Sequence, residues 1–458
     1  SRQQQEATTG SSMSPRLCVA CLVVACLVML LVQWPALAQD RRQVSRVQSS
    51  ASGDRWQELT PVVLRTETPP QGVVLSLNVS QRFQSILGFG GAFTDSVAHV
   101  FSSLSSDQQT EVLEAFFGDK GLKYSQGRLT IGSCDFSVGS YCYNDVEGDY
   151  AMEHFSIQHD REKILPLVHR AMEMTSQYNR SIHFFASPWS PPGWMKRNHF
   201  MRNSWAPGLV QTSQNFEGYA LYLSKYVSAI RDEKIPLWGI TIQNEPHVDN
   251  QFLVDYECCG YNATDEANFL ADYLGPRLRQ DHPDLRIMIH DDQKPMLPAF
   301  VDTVMRNPKA AQYVWGAGFH WYEDVLKNYQ FLEQTHAMYP SLVLFATEAT
   351  LEAHWKQKDH WQQAQMYGID IIGDLNEWSV GWMDWNFLLD AEGGPQHALG
   401  PCDAPIRYNT WTKELEYGLQ YYVFGHFSRY MPPGSTRVQV SSGPIFGDAC
   451  SLSPWQWW

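Results

Sequence analysis

Leu237-Trp238-Gly239-Ile240-Thr241-Ile242-Gln243-Asn244-Glu245-Pro246 is the stretch whose reading decides the fold. Its first half is a short apolar and β-branched run without polar alternation, the pattern of a strand buried on both faces. Its last residues are polar, and Pro246 cannot extend a ladder, so the strand stops there. Seven further runs of this kind are spread along the chain. They are Ile86–Asp95, Arg128–Ser133, Ile182–Trp189, Arg286–Asp292, Val314–Tyr322, Leu342–Glu348 and Val380–Asn386. Helix-patterned segments lie between them, among them 161–177 and 215–232. Eight strand–helix units predict an α/β fold of the closed (β/α)8 TIM-barrel type over residues 86–425. An open dinucleotide-binding sheet would carry a Gly-x-Gly-x-x-Gly turn, and Gly88-Phe89-Gly90-Gly91 does not match it.

In such a barrel the chemistry sits at the carboxyl ends of the strands. The fourth run ends in Asn244-Glu245-Pro246 and the seventh in Glu348. Two carboxyl groups at one barrel mouth are the minimum set for glycoside hydrolysis: one protonates the leaving oxygen and the other attacks the anomeric carbon. A lone glutamate after a strand is usually an ordinary surface residue. The Asn-Glu-Pro triplet paired with a second strand-end glutamate departs from that pattern. The third run leads into Trp189 and Trp194, and the eighth holds Trp385. Indole faces suit sugar C–H faces, so Trp189 and Trp385 are assigned to the pocket and Trp194 to the core. His320 and Tyr322 close the sixth run, and His320 is expected to help orient a carboxylate. Asp95 and Asp135 follow the first two runs, as sugar contacts or as loop caps. Asp291-Asp292 carries no assignment.

Other chemistries find little support. A net charge of −15 disfavours nucleic acid. No Gly-x-Ser-x-Gly elbow is present. His154 and His159 lack the neighbours of a metal site, so neither metal nor cofactor is expected. The 16-residue apolar run Leu17–Val32 precedes Pro35-Ala36-Leu37-Ala38. It is shorter than the roughly 20 residues of a bilayer span and reads as a signal peptide cut after Ala38. Behind it stand sequons at Asn78, Asn179 and Asn262, the mark of a glycoprotein. Six cysteines follow residue 38, too few for a disulfide framework. All 15 histidines also lie beyond residue 38, so an acidic compartment would remove most of the negative charge.

Taken together, Gly88–Asp95, Ser133-Cys134-Asp135-Phe136-Ser137, Ala186-Ser187-Pro188-Trp189, Gln243–Pro246, Phe319–Tyr322, Phe345–Ala349, Gly381–Asn386 and Glu392–Pro395 resemble the lysosomal acid β-glucosidase (glucosylceramidase) family, within glycoside hydrolase family 30. The resemblance covers roughly residues 83–440. It implies a retaining mechanism with Glu245 as acid/base and Glu348 as nucleophile. Asp135, Trp189, Asn244 and Trp385 would hold the glucose, and Arg128, His320 and Tyr322 would support the nucleophile. The implied substrate is membrane glucosylceramide, cut in the lysosome with a saposin-type activator and anionic lipid as helpers. Related polysaccharide hydrolases acting on β-1,6-glucan or xylan share these motifs, and a non-catalytic sugar- or lipid-binding glycoprotein is the third reading. The family's N-terminal cysteine-rich segment has no counterpart, and Gly400 stands where the family has a second sugar-binding Asn. The match fades after Val440. Residues 39–85 and 426–458 are therefore expected to form an incomplete small β-sandwich side domain.

Overall fold

The computed structural model describes residues 43–63, 75–202, 208–247, 255–323, 326–352, 360–398 and 400–442. The expected signal peptide, residues 1–38, and the tail from residue 443 lie outside the described residues. The chain divides into two units at Val74/Leu75. The described part of the first is an antiparallel hairpin of β1 (Gln43–Gln48) and β2 (Gln57–Val63).

The second unit begins with β3 (Leu75–Ser85) and contains a closed barrel of eight parallel strands. These are β4 (Gly88–Phe93), β5 (Gln126–Ile131), β6 (His183–Pro188), β7 (Leu237–Thr241), β8 (Arg286–Gln293), β9 (Val314–His320), β10 (Val343–Glu348) and β11 (Ser379–Asn386), and β11 pairs back onto β4. Each coincides with one of the eight runs. β4 and β5 are buried at every residue, as strands covered on both faces must be. Gly90 is required by closeness: a Cβ there would lie 1.8 Å from the Gln126 carbonyl oxygen. Phe185, Met288, Phe345 and Met383 fill the barrel interior as one cluster, a packed core of the kind this fold requires.

The segment read as a helix over 161–177 is two helices, Gln158–Lys163 and Leu165–Gln177. Pro166 explains the break. It has no N–H to give the preceding turn and is best placed at the start of a new helix. The helix read over 215–232 is Ser213–Asp232, opened by Thr212, whose side chain accepts from the Asn215 N–H. After the barrel come β12 (Leu388–Asp390), β13 (Ile406–Asn409) and β14 (Glu414–Tyr417) in one small sheet. β15 (Thr436–Ser442) pairs antiparallel with β3. No helix among the described residues is long and apolar enough to cross a membrane.

One buried ion cluster ties the barrel to its outer helix. Lys294, just after β8, places Nζ 2.7 Å from Asp370 and 2.6 Å from Asp374 on helix His360–Asn376. All three are buried, and Trp382 Nε1 also donates to Asp370. Lys294→Ala would strand two carboxyl groups without a countercharge. We expect a loss of about 3–5 kcal/mol in equilibrium denaturation, the cost of breaking a buried pair. A loss under about 1 kcal/mol, the ceiling for exposed pairs, would show the cluster to be solvated.

Candidate active site

The strand ends converge as the barrel requires. Glu245 follows β7 with a φ of +44°, a conformation that costs a non-glycine residue energy. It is held by its backbone: the Glu245 N–H donates to Asp291 O and the Asn244 N–H to Pro188 O. His290 and Asp291 at the end of β8 also have positive φ, +72° and +53°. Strained backbone concentrated at two adjoining strand ends aims side chains into the mouth.

Glu348 ends β10 and is 6% exposed. Its Oε1 accepts from the Tyr322 hydroxyl at 2.8 Å, and its Oε2 accepts from Arg128 Nη1. Arg128 lies within β5 and is fully buried. Its guanidinium also donates to Asn244 Oδ1 at 2.8 Å, Asp291 Oδ2 at 2.9 Å and Ser187 Oγ at 3.1 Å. It lies 4.8 Å from the Trp189 ring and 5.6 Å from the Trp385 ring. The two indoles stack on each other at 5.2 Å and are each 2% exposed. They form an inner wall of the site beneath the guanidinium.

Glu245 takes a different set of partners. Its Oε1 accepts from Gln293 Nε2 at 2.9 Å and lies 3.0 Å from His320 Nδ1. Its Oε2 accepts from the Tyr256 hydroxyl at 3.3 Å. His320, expected beside the nucleophile candidate, lies within 4.8 Å of a Glu348 oxygen, and its ring nitrogens bond Glu245 and Asp291. Carboxylate oxygens of Glu245 and Glu348 and a ring nitrogen of His320 all lie within 4.8 Å of one another. Carboxyl groups about 5–5.5 Å apart suit direct attack on the sugar, whereas a gap of roughly 6.5–9.5 Å makes room for a water. The same trio has the donor types of a cation site. Both His320 nitrogens are already bonded, however, and Arg128 sits on Glu348, so the arrangement fits a proton network better than a metal.

Burial opposes the charge on Asp291, yet the Arg128 guanidinium and His320 hold its carboxyl far below the usual range. Burial likewise opposes charge on His320, but Glu348, Asp291 and Glu245 together push it up to about 10. Glu245 and Glu348 lie close enough for the charge of one to act on the other. Burial raises Glu348, against the charges of His320 and Arg128 and with the help of the Glu245 charge. Burial also works against Glu245, but His320 holds it below its ordinary value. Glu245 is the carboxyl bonded to a proton-exchanging neighbour, His320, whereas Glu348 is bonded by Arg128 and Tyr322. His320 Nε2 must donate to the fixed Asp291 carboxylate, which leaves the hydrogen between Nδ1 and Glu245 Oε1 as the mobile one. Arg128 is never deprotonated, so it offers Glu348 no such hydrogen.

Asp135 is pushed well up, by burial first and then by Glu348 and Glu245. A hydrogen bond from the adjacent Phe136 N–H works the other way, and the further acceptor sites of the carboxyl group suit a hydroxyl-bearing ligand. Asp95 resolves as a loop cap: it accepts from the Val138 N–H at 2.9 Å and pairs with His159. Trp194, assigned to the core, is instead half-buried on the turn Gly193–Met195, with its indole N–H on Asn144 O. The turn leaves the strand line at Pro191-Pro192 and carries the indole outward. Asn78, Asn179 and Asn262 are all exposed, the last also capping helix Ala263–Phe269. The unassigned Asp291 is the hub of the site, accepting from Arg128, Thr241, Ser187 and Thr347 and bonding His320. Its strand-end position was the available signal. Tyr256 and Gln293 also escaped the sequence reading.

Paired carboxyl groups at the mouth of a (β/α)8 barrel, with an indole wall and a buried arginine beside them, define a glycoside hydrolase. The chain belongs to glycosyl hydrolase family 30: the model of that family's TIM-barrel domain matches residues 86–431. A Caenorhabditis elegans protein provisionally named glucosylceramidase 3 is 37% identical over 398 residues, covering 85% of this chain and 75% of the relative. The mouse lysosomal acid glucosylceramidase is 32% identical over 402 residues, 86% of this chain and 77% of that protein. A Neurospora crassa endo-1,6-beta-D-glucanase is 27% identical, with 91% and 86% covered. The crystal structure of SrfJ from Salmonella typhimurium superposes with a TM-score of 0.79 at 28% identity, covering 88% of this chain and 87% of that one.

Proposed function

We propose that this chain is a retaining β-glucosidase that cleaves glucosylceramide to glucose and ceramide. The observation that carries the reading is the close Glu245/Glu348 pair with its unequal partners. Glu348 attacks the anomeric carbon while Glu245 gives its proton to the departing ceramide oxygen. A glucosyl–Glu348 ester results. Water then gives a proton to Glu245, attacks the same carbon and releases glucose with Glu348 restored. Asn244, held through its oxygen by Arg128, turns its amide N–H groups toward the sugar 2-hydroxyl. Asp135 accepts hydroxyl hydrogens, and Trp189 and Trp385 back the ring.

The two relatives named as glucosylceramidases support the lipid substrate, and the name of the mouse protein supports a lysosomal setting reached by the secretory route. A saposin-type activator and anionic lipid are the partners of this reading, with glycans at Asn78, Asn179 and Asn262. The fungal glucanase supplies a second reading, cleavage of a β-1,6-linked glucan. Presented with glucosylceramide in anionic vesicles plus activator, and separately with β-1,6-glucan and xylan, the protein should release ceramide and leave the glycans intact. Glycan cleavage without ceramide release would overturn the lipid assignment.

A further inference from the structure

A second charged cluster sits at the rim of the site, outside the catalytic pair. Glu257, in the segment after β7, is fully buried. One of its oxygens accepts from Ser133 Oγ at 2.8 Å and from Ser140 Oγ at 2.6 Å, both in the segment after β5. Its other oxygen lies 2.8 Å from His397 Nε2, in the segment after β12. The opposite ring nitrogen, Nδ1, lies 3.0 Å from Ser137 O. The His397 N–H donates to Asp135 O at 3.2 Å, and Arg202 donates to His397 O at 3.1 Å. Three rim segments thus meet at one imidazole.

The chemistry of the partners sets the protonation. Ser137 O is a carbonyl and can only accept, and an ionised Glu257 can only accept. Both His397 nitrogens must therefore carry hydrogen for both bonds to exist, which makes the ring an imidazolium. The neutral ring can keep one bond and must face the other acceptor with a lone pair. We propose that Glu257 and His397 form a proton-locked clasp that positions the Asp135 segment, so that the sugar pocket is assembled at acidic pH and loosens as pH rises. Given the reading of Asp135 as a sugar contact, the clasp acts on binding by fixing the main chain from which its carboxyl projects.

The surrounding charges agree in sign. Burial disfavours charge on His397, and so does Arg202, but the Glu257 hydrogen bond and charge raise it above the ordinary imidazole value. Burial also opposes charge on Glu257, and His397 and Ser140 hold it down. The Asp135 carboxyl and the buried Cys134 thiol face the cluster from the β5 side, and the Glu257 charge acts on both. A raised imidazole contributes fully below its unfolded pKa and is lost as pH climbs through the folded one, so the clasp opens on the alkaline side of about 6.5.

The test uses the full chain and His397→Gln, which keeps a donor but cannot titrate, with Glu257→Gln beside it. Hydrogen exchange in the segment 390–398, corrected for intrinsic pH dependence, should rise severalfold through the His397 titration in the unaltered protein. It should stay flat in His397→Gln, and the step should move to lower pH in Glu257→Gln. KM for an aryl β-glucoside should rise over the same interval only in the unaltered protein, with kcat little changed. Should Glu257→Gln fail to fold, the His397→Gln comparison decides alone. An exchange step that survives in His397→Gln, or an equal loss at every pH, would overturn the clasp. Exchange is read without turnover, so a protein inactive on glucosides can still pass or fail this test.

Discussion

Glu348→Gln should abolish turnover of every β-glucoside, activated or not, while leaving the fold and ligand binding in place. The amide occupies the same space and still accepts from Tyr322, but it cannot form the glycosyl ester on which both chemical steps depend. The expected loss in kcat is about 10⁴-fold or more, the scale on which removal of a covalent catalytic group acts. The substitution also leaves the buried Arg128 with Asp291 as its one carboxylate partner among those described. A modest drop in thermal midpoint should therefore accompany the lost activity. Assays on p-nitrophenyl and 2,4-dinitrophenyl β-glucosides check the first point and calorimetry the second. Residual activity above about one part in a hundred, well outside the range for a nucleophile, would remove Glu348 from that role.

Glu245→Gln should behave differently with leaving group, and that contrast is its diagnostic. An alkyl leaving oxygen needs a proton, so ceramide and alkyl glucosides should lose about 10²–10⁴-fold, the usual worth of general acid catalysis. A dinitrophenolate departs unaided, so the glycosyl ester should form at near-normal rate and then wait for a water that no base activates. Azide, which needs no base, should rescue that second step and yield β-glucosyl azide. The alkaline limb of the pH–rate profile should also change. In the unaltered enzyme, activity should fall with rising pH as the proton available to Glu245 is lost. In Glu245→Gln, that limb should flatten for the dinitrophenyl substrate. Equal losses for all leaving groups would assign Glu245 to positioning instead of proton transfer.

The barrel was legible because each strand is an apolar run that stands out without reference to any other part of the chain. The strand-end rule then pointed to Glu245 and Glu348, since each closes such a run. Relations between strands were harder to read. Asp291 looked ambiguous in sequence because its role is defined by Arg128, His320, Thr241 and Thr347, which come from four other strands. His320 was seen as a residue orienting a carboxylate, but its bonds to both Glu245 and Asp291 could not be read from spacing. Trp194 was misplaced because a 3₁₀ turn after two prolines is not part of the strand's alternation. The helix break at Ile164 could have been read from Pro166. The Glu257–His397 pair, 140 residues apart, had no local signal at all.

Covalent catalysis by Glu348 is the step on which the proposed reaction depends. Inactivation with a cyclitol epoxide of glucose configuration, followed by peptide mapping, tests it most directly. One label per chain is expected, carried by Glu348, with inactivation slowed by a competitive glucose analogue. A label on Asp135 or Glu245, or hydrolysis that releases the inverted anomer from folded protein that takes up no label, would contradict it.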